Sequence, residues 1–334
     1  MGRKNVSMKD IAAELNVSIV TVSKALSDKE GVGKQLREQI LDTAQRLGYV
    51  AKSQASTAPA DSRNIAIIIS ERYLNIQPSF YFDIYQVLLK SLSKRGYVGI
   101  LEIIKTSDED TCSCPNVVRM GSVDQVVVMG QMSHDYLEMM TKEDVNLIFF
   151  DFDDEELGVD SIVSDNILGG YTLAKYLVKH GKERIGYVGS IKMTNSILDR
   201  YMGYVKYLIK HDLPYDDSWL IEDRNAHGDF IDFKLPPKEK MPDAFICNCD
   251  VVANKFVDAL ANAGYRVPED VAVVGYDDFA CGENKCGLKL TTYKTDIDMM
   301  ISICGHIINQ RAHSKAYRRG KSVVKGEIIE RETV

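Results

Sequence analysis

The stretch Ser7-Met-Lys-Asp-Ile-Ala-Ala-Glu-Leu-Asn-Val-Ser-Ile-Val-Thr-Val-Ser-Lys-Ala-Leu26 decides how the start of this chain folds. Ser7 and Asp10 suit the first turn of one helix, and Ser18 suits the N-cap of a second helix that ends near Leu26. Asn16 lies at the turn between them, and Asn tolerates left-handed backbone geometry better than most residues. Two short helices joined by a tight turn predict a helix-turn-helix, whose second helix fits the major groove of B-DNA.

A third helix, predicted from Gln35 to Leu47, carries apolar residues at helical spacing on one face. Three helices would close one small core, so we predict an all-α DNA-binding domain over residues 1–49. Small and polar residues dominate 50–63, a composition typical of a flexible hinge or linker. The remaining residues, 64–334, are long enough to form a separate domain.

The charge of the chain is unevenly distributed. The net charge is −7, but residues 1–60 carry +3 and the remainder therefore carries −10. A basic head on an acidic body suits contact with phosphates at one end only. Because +3 is a modest charge, tight binding to DNA predicts two heads, and hence a homodimer.

Several function classes are excluded by what the sequence lacks. No apolar run reaches membrane-spanning length and there is no signal-peptide pattern, so we expect a cytoplasmic protein without a membrane partner. The seven cysteines include two C-x-C pairs rather than C-x2-C knuckles, which predicts reduced thiols and no metal site. Neither phosphate-cradling glycine motif appears and no nucleophile elbow is found, so we predict no enzyme activity and no cofactor.

From residue 64 onward, short apolar runs alternate with helical stretches, which predicts an α/β body of doubly wound parallel sheets. Asp165, Asp250 and Asp277 each follow such a run, and ligands bind beyond the carboxyl ends of strands in these sheets. Carboxylates can accept several hydroxyl donors, so the pattern favours a sugar or sugar derivative as the ligand. Asp165 and Asp250 could instead serve only as helix N-caps.

The head resembles the LacI/GalR family of bacterial transcription regulators. The matching residues are Met8-Lys-Asp-Ile-Ala, then Val17-Ser-x-x-Thr-Val-Ser-Lys-Ala-Leu26, then Leu47-Gly48-Tyr49. The resemblance implies that the second helix reads base edges and that neighbouring hydroxyls contact phosphates. The implied DNA-binding residues are Ser7, Ser18, Ile19, Val20, Thr21, Ser23 and Lys24.

The linker departs from the pattern of that family, Arg-Pro-Asn-x-x-Ala-Arg-x-Leu, in which the Leu wedges into the minor groove. Here Ser56 stands at the second Arg position and Ala58 at the wedge position. Because Ala is too small to hold two base pairs apart, we expect weaker bending of the bound DNA. Whether this linker folds as a hinge helix is left open.

The body, residues 64–334, resembles the effector-binding and dimerisation domain of the same family, which is similar to periplasmic binding proteins. The matching motifs are Val163-Ser-Asp165-Asn-x-x-Gly169-Gly-Tyr, Arg200-x-x-Gly203-Tyr and Val267-Pro-Glu-Asp-Val-Ala-Val-Val-Gly-Tyr-Asp277-Asp278. The resemblance implies two lobes, an N-lobe of 64–163 plus 294–322 and a C-lobe of 164–293 plus 323–334. The implied effector-binding residues are Phe80, Tyr81, Asp165, Arg200, Asp250 and Asp277. Cys249 stands where the family often has Asn or Ser, so one usual hydroxyl contact is expected to be missing.

These observations predict a repressor whose affinity for a palindromic operator is controlled allosterically by a sugar-like effector. Two alternatives remain open. One is a sugar-binding protein without a DNA function, which the predicted head opposes. The other is a regulator that responds to an effector other than a sugar.

Overall fold

A computed structural model describes residues 8–26, 31–47, 63–75, 78–225, 228–313 and 317–334. The chain divides into an N-terminal head within residues 1–62 and a body that begins at Arg63. The predicted linker, apart from residue 63, lies outside the described residues, as does the predicted phosphate contact Ser7.

The head contains three helices: α1 (Met8–Glu14), α2 (Ile19–Leu26) and α3 (Lys34–Leu47). Asn16 adopts a φ of 51° between the first two, the left-handed geometry that the turn requires. Apolar side chains at helical spacing meet in one core, whose buried members are Ile11, Ala12, Val22, Ala25, Ile40 and Ala44. The third helix begins one residue earlier than predicted.

The first lobe of the body is built on a six-stranded sheet in the order β11-β5-β4-β3-β1-β2, and every neighbouring pair is parallel. Its strands are β1 (Asn64–Ser70), β2 (Val98–Ile104), β3 (Gln125–Met129), β4 (Asn146–Phe150), β5 (Asp160–Ser164) and β11 (Lys321–Val324). Strand β1, which pairs with a strand on each side, contains four fully buried isoleucines, as expected for a sheet covered on both faces.

The second lobe has a similar sheet in the order β12-β10-β9-β8-β6-β7, parallel except for the edge strand β12, which runs antiparallel to β10. Its strands are β6 (Ile185–Val188), β7 (Leu220–Ile221), β8 (Ala244–Cys247), β9 (Ala272–Asp277), β10 (Thr291–Lys294) and β12 (Glu327–Ile329). The two sheets thus form the doubly wound α/β body that the alternation of strands and helices predicts.

The helices of the body connect the strands of these sheets. They are α4 (Phe80–Lys94), α5 (Thr106–Asp110), α6 (Asn116–Arg119), α7 (His134–Thr141), α8 (Asn166–Lys179), α9 (Asn195–Lys210), α10 (Asp250–Asn262) and α11 (Ile297–His313). The chain passes between the two sheets after Ser164, after Lys294 and after Val324. The third passage comes later than residue 322, where it was predicted, because Val323 and Val324 still pair with β5.

Candidate functional site

The outward face of α2 carries the predicted DNA contacts. Ile19 and Val20 are 43% and 64% exposed, and Lys24 is also exposed, while the opposite side of the helix is buried. Ser18 Oγ accepts the backbone N–H of Thr21 at 3.0 Å and bonds the Thr21 hydroxyl at 2.8 Å. Ser18 therefore caps the helix and orients Thr21. Two exposed branched apolar side chains beside a lysine suit contact with thymine methyls and a guanine edge.

In the body, a cavity of about 140 Å³ lies between the two lobes. Both sheets contribute to it at the carboxyl ends of their strands, where doubly wound folds bind ligands. Five of the six predicted effector residues line it: Phe80, Tyr81, Arg200, Asp250 and Asp277. The structure thus brings together side chains that are up to 197 positions apart in the sequence.

Arg200 is a fixed cation in the wall of this cavity. Its Nε donates to Asn166 Oδ1 at 2.8 Å, its Nη1 donates to the Asn248 carbonyl, and its Nη2 lies 3.4 Å from Asp277 Oδ1. The guanidinium also stacks 3.7 Å from the centroid of the Tyr276 ring. Burial lowers the pKa of Arg200, but Asp277 and Tyr276 outweigh it, so the pKa is raised and the charge is permanent.

Asp277 ends strand β9 with unusual backbone geometry. Its φ is 103° and that of Asp278 is 55°, both in the left-handed region that non-glycine residues rarely occupy. Such backbone conformations are retained where the surroundings over-determine them, often at ligand sites. Burial raises the pKa of Asp277, and the neighbouring Arg200 opposes this shift. The geometry directs the end of the strand into the cavity beside the guanidinium.

Asp250 lines the cavity, but both of its carboxylate oxygens serve the fold. Oδ1 accepts the Thr292 hydroxyl at 2.6 Å, and Oδ2 accepts the backbone N–H of Phe279 at 2.8 Å. Burial, reinforced by the charge of Asp277, raises the pKa of Asp250 to about 8. Asp250 therefore fixes the segment that carries Phe279, and its contact with an effector stays a prediction.

Asp165 does not line the cavity, which corrects the prediction made for it. Its Oδ1 accepts the backbone N–H of Leu168 at 3.0 Å, and its own N–H donates to the Val324 carbonyl at 2.8 Å. Asp165 is therefore the N-cap of α8. Its backbone bond to Val324 links the first and third of the chain segments that pass between the lobes. The helix-cap alternative is the one that the structure supports for this residue.

Asp151 is a cavity residue that the sequence reasoning missed. It follows β4, is 6% exposed and has a φ of 68°. Tyr81 donates its hydroxyl to Asp151 Oδ2 at 2.9 Å. Burial raises the pKa of Asp151 to about 6, with Arg200 opposing the shift and Asp277 adding to it. The position at a strand end could have revealed it, but the apolar run continues to Phe152 and hid the end of the strand.

The two lobes contact each other around the cavity. Gln131 Oε1 of the first lobe accepts the backbone N–H of Asn195, at the start of α9 in the second, at 2.9 Å. The Phe80 and Phe279 rings, one from each lobe, meet edge to face with centroids 5.5 Å apart. The cavity is therefore bounded by interactions that a relative movement of the lobes would break.

A larger cavity, of about 540 Å³, lies beside the connections between the lobes, with Lys294, Asp296 and Lys325 among its walls. It shares Phe80, Asp277 and Phe279 with the smaller one. We favour the smaller cavity as the site, because it alone of these two collects Arg200 and Asp151 from the strand-end edges of both sheets.

Two family models match the chain. Residues 7–52 match the bacterial regulatory proteins of the lacI family, and residues 174–334 match a periplasmic binding protein-like domain. The chain is thus similar to the lacI family over its head and to periplasmic binding protein-like domains over the second half of its body. These matches support a DNA-binding transcriptional regulator with a ligand-binding domain rather than an enzyme.

Individual known proteins resemble this chain over most of its length. The HTH-type transcriptional repressor PurR of Histophilus somni (strain 129Pt) is 25% identical over 278 residues, covering 81% of this chain and 82% of that protein. The transcriptional regulator CelR–cellobiose complex superimposes with a TM-score of 0.67 at 21% identity, covering 99% and 100% of the two chains. The lac repressor dimer bound to operator and the anti-inducer ONPF has a TM-score of 0.67 at 19% identity, with 99% of each chain covered.

Within the ranges given above, no helix is both long and apolar enough to cross a bilayer. The same ranges hold no group of three or more His, Cys, Asp or Glu side chains placed to bind a metal ion.

Proposed function

We propose that this protein is a homodimeric transcriptional repressor whose affinity for a palindromic operator is set by a small polyhydroxylated effector in the cleft between its lobes. The observation that carries the proposal is the placement of Asp151 on one lobe and Asp277 on the other, around one cavity. A ligand whose hydroxyls reach both carboxylates would hold the lobes in one relative position. As a regulator of DNA, the protein would act in the cytoplasm.

The DNA contact is proposed for the exposed face of α2. Lys24 can donate to a guanine edge, whereas Ile19 and Val20 can only pack against thymine methyls. Ser18, Thr21 and Ser23 are the candidates for phosphate contacts in the described part of the head. Two heads related by a two-fold axis would require a symmetric operator. The lac repressor, a structural neighbour, is described as a dimer bound to operator.

The effector is proposed to be a sugar or sugar derivative because the cavity is small and two carboxylates in its wall can accept hydroxyls. Its 140 Å³ is well below the roughly 300–1,000 Å³ of sites for drug-sized ligands. Asp151 and Asp277 supply acceptors for hydroxyls, and the Phe80 and Tyr81 rings supply apolar faces for the ring of a sugar. CelR, another structural neighbour, is described in complex with cellobiose.

Two measurements on the full chain test this proposal. The first is selection of binding sites from random oligonucleotides, which should recover a two-fold symmetric sequence. The second is a thermal-shift screen of saccharides, in which a tight ligand raises the melting temperature by mass action. The proposal fails if no symmetric duplex is preferred over random DNA with or without saccharides, or if no saccharide binds.

A pair of neighbouring aspartates provides the matched control for the screen. Asp277→Asn should weaken saccharide binding about tenfold or more, since it removes a charged acceptor from the cavity wall. Asp278→Asn should leave binding unchanged, because Asp278 does not line the cleft cavity and its carboxylate pairs with Arg331 at 2.6 Å. Equal effects of the two substitutions would argue against the cleft as the binding site.

A further inference from the structure

The two arginines of the cavity differ in how much of their bonding capacity the protein uses. Every nitrogen of the Arg200 guanidinium has a partner, as described above. Arg224 commits only Nε, which donates to Asp223 Oδ2 at 2.9 Å. Among the described residues, no acceptor bonds its two Nη groups, and its side chain is 19% exposed where it lines the cavity.

The position of Arg224 is nevertheless fixed. Asp223, which is fully buried, accepts the backbone N–H of Ser190 at 2.7 Å and the Asn248 amide at 2.9 Å in addition to Arg224. The guanidinium lies 5.1 Å from the centroid of the Phe230 ring. A guanidinium held through Nε and an aromatic face presents its remaining N–H groups as a rigid fork. That fork matches the two oxygens of a carboxylate or phosphate.

Two further features at the same end of the cavity favour an anion. Lys255 Nζ lies 4.8 Å from the centroid of the same Phe230 ring. Helix α10 begins at the cavity wall, with Cys249 at its N-cap. The positive end of a helix dipole favours an anion, which strengthens a site that Arg224 already defines.

The cavity is thus asymmetric, with hydroxyl acceptors at Asp151 and Asp277 and unused donors at Arg224. We propose that the effector is an acidic sugar, with a carboxylate or phosphate group that pairs with the Nη groups of Arg224 while its hydroxyls bond the two aspartates. This inference rests on the proposed function and narrows its ligand class. Carboxylate and phosphate share the chemistry that the fork recognises, and binding measurements separate them.

Calorimetric titration of the full chain tests the inference with matched probes. Glucose and galactose are each compared with their uronic acid and with their hexose phosphate. We expect at least one acidic member of a set to bind about tenfold or more tightly than its neutral parent. Tighter binding of the uronate identifies a carboxylate, and tighter binding of the phosphate ester identifies a phosphate.

Substitutions at Arg224 assign the preference to this side chain. Arg224→Met should weaken binding of the acidic probe by roughly 10- to 100-fold, and Arg224→Lys, which keeps the charge without the fork, should fall between. Arg266→Met, at an exposed arginine paired with Asp270, should change neither probe. Thermal melts of each variant without ligand show whether the fold is retained, and Arg224→Lys provides the test if Arg224→Met does not fold.

The outcomes separate this inference from the function on which it rests. If neutral sugars bind as tightly as their acids, or if the Arg224 variants bind the acidic probe as the parent chain does, the acidic-sugar inference is overturned and the sugar-controlled regulator stands. If neither neutral nor acidic sugars bind, the proposed sugar effector fails and the inference fails with it.

Discussion

At the scale of single residues, the cleft combines carboxyl groups whose surroundings disfavour ionisation with two arginines that stay charged. Asp151 is the clearest case, because burial raises its pKa to about 6 from an ordinary value near 3.8. Arg200 limits this shift, and the facing Asp277 increases it. A hydroxyl donor from an effector would bond the ionised form of Asp151 and relieve the cost of burying its charge.

The pKa of Asp151 predicts how the stability of the ligand-free chain depends on pH. Because the folded state raises this pKa, the folded protein holds the proton more tightly than the unfolded chain. The difference between the folded pKa of about 6 and the ordinary value of 3.8 corresponds to about 3 kcal/mol in the free energy of unfolding. This contribution is present below pH 4 and is lost as the pH rises through about 6. Asp151→Asn should remove that loss, so the melting temperature of the variant relative to that of the parent chain should rise between pH 4.5 and 7.5. Parallel curves of melting temperature against pH for the two proteins would contradict this prediction. Asp232→Asn, at an exposed position, is the control and should give the same curve as the parent chain.

The rule used to predict cavity residues from the sequence was that a polar side chain directly follows a recognisable strand. Asp250 and Asp277 satisfy that rule and reach the cavity, while Asp165 satisfies it and caps a helix instead. The rule cannot distinguish these outcomes, because the direction of the side chain depends on the opposite lobe. Arg224 was missed because β7 has only two residues and is followed by an irregular segment without strand or helix periodicity.

At the scale of elements, α8 and α9 pack closely through a pair of glycines. A Cβ at Gly170 would stand 1.9 Å from the Arg200 carbonyl oxygen, and a Cβ at Gly203 would stand 2.0 Å from the Ile167 carbonyl oxygen. The close packing of the two helices thus explains why glycine stands in the motifs that carry the family resemblance, Gly169-Gly170 and Arg200-x-x-Gly203. Gly170 and Gly203 let the two helices approach until Arg200 reaches the cavity. The family motif indicated the place of Arg200, but the close approach of the two helices depends on tertiary structure.

This close approach predicts that Gly203→Ala is damaging. The added methyl group meets the backbone of α8, which cannot yield as a flexible side chain would, so the helices must separate. We expect a loss of about 1–3 kcal/mol or more in stability, together with weaker effector binding as Arg200 shifts. Gly320→Ala serves as the control, since a Cβ there has no neighbour within 4 Å. Urea unfolding measures both variants, and a Gly203→Ala protein as stable as the control would show that the helices can yield.

The other element with a separate prediction is α2 of the head. Lys24 lies on the same exposed side as Ile19 and Val20, so its removal should affect the reading of a single base pair in each half-site. Lys24→Ala should cost about 1–3 kcal/mol at that base pair and relax the preference there. Lys34→Ala, at the exposed start of α3, is the control. Any loss of DNA affinity that it causes should be similar for all operator sequences, so the base preference should stay the same. Binding-site selection with both variants distinguishes these results, and an unchanged base preference for Lys24→Ala would refute the placement.

At the scale of the whole molecule, the body has the features of a two-state element. Three chain passages join the lobes, and the contacts across the cleft in the described part of the chain include the hydrogen bonds that Asn195 donates to Gln131 and to the Asp153 carbonyl, and the Phe80–Phe279 ring pair. An effector that bonds both lobes changes the balance between two arrangements only by its difference in affinity for them. The alternation of strands and helices predicted doubly wound sheets and the resemblance implied two lobes, but these bridging contacts depend on tertiary structure.

Thermodynamic linkage turns this arrangement into a quantitative prediction for the full chain with an effector found by the saccharide screen. If saturating effector changes operator affinity by some factor, saturating operator must change effector affinity by the same factor, typically about 5- to 150-fold. Fluorescence anisotropy of labelled operator measures the first factor, and calorimetric titration of effector with and without operator measures the second. Asp277→Asn should lower the affinity for effector while leaving the operator affinity of the ligand-free chain unchanged, because Asp277 belongs to the cleft and not to the head. An effector that binds the cleft but leaves operator affinity unchanged would mean that the lobes bind a sugar without controlling DNA.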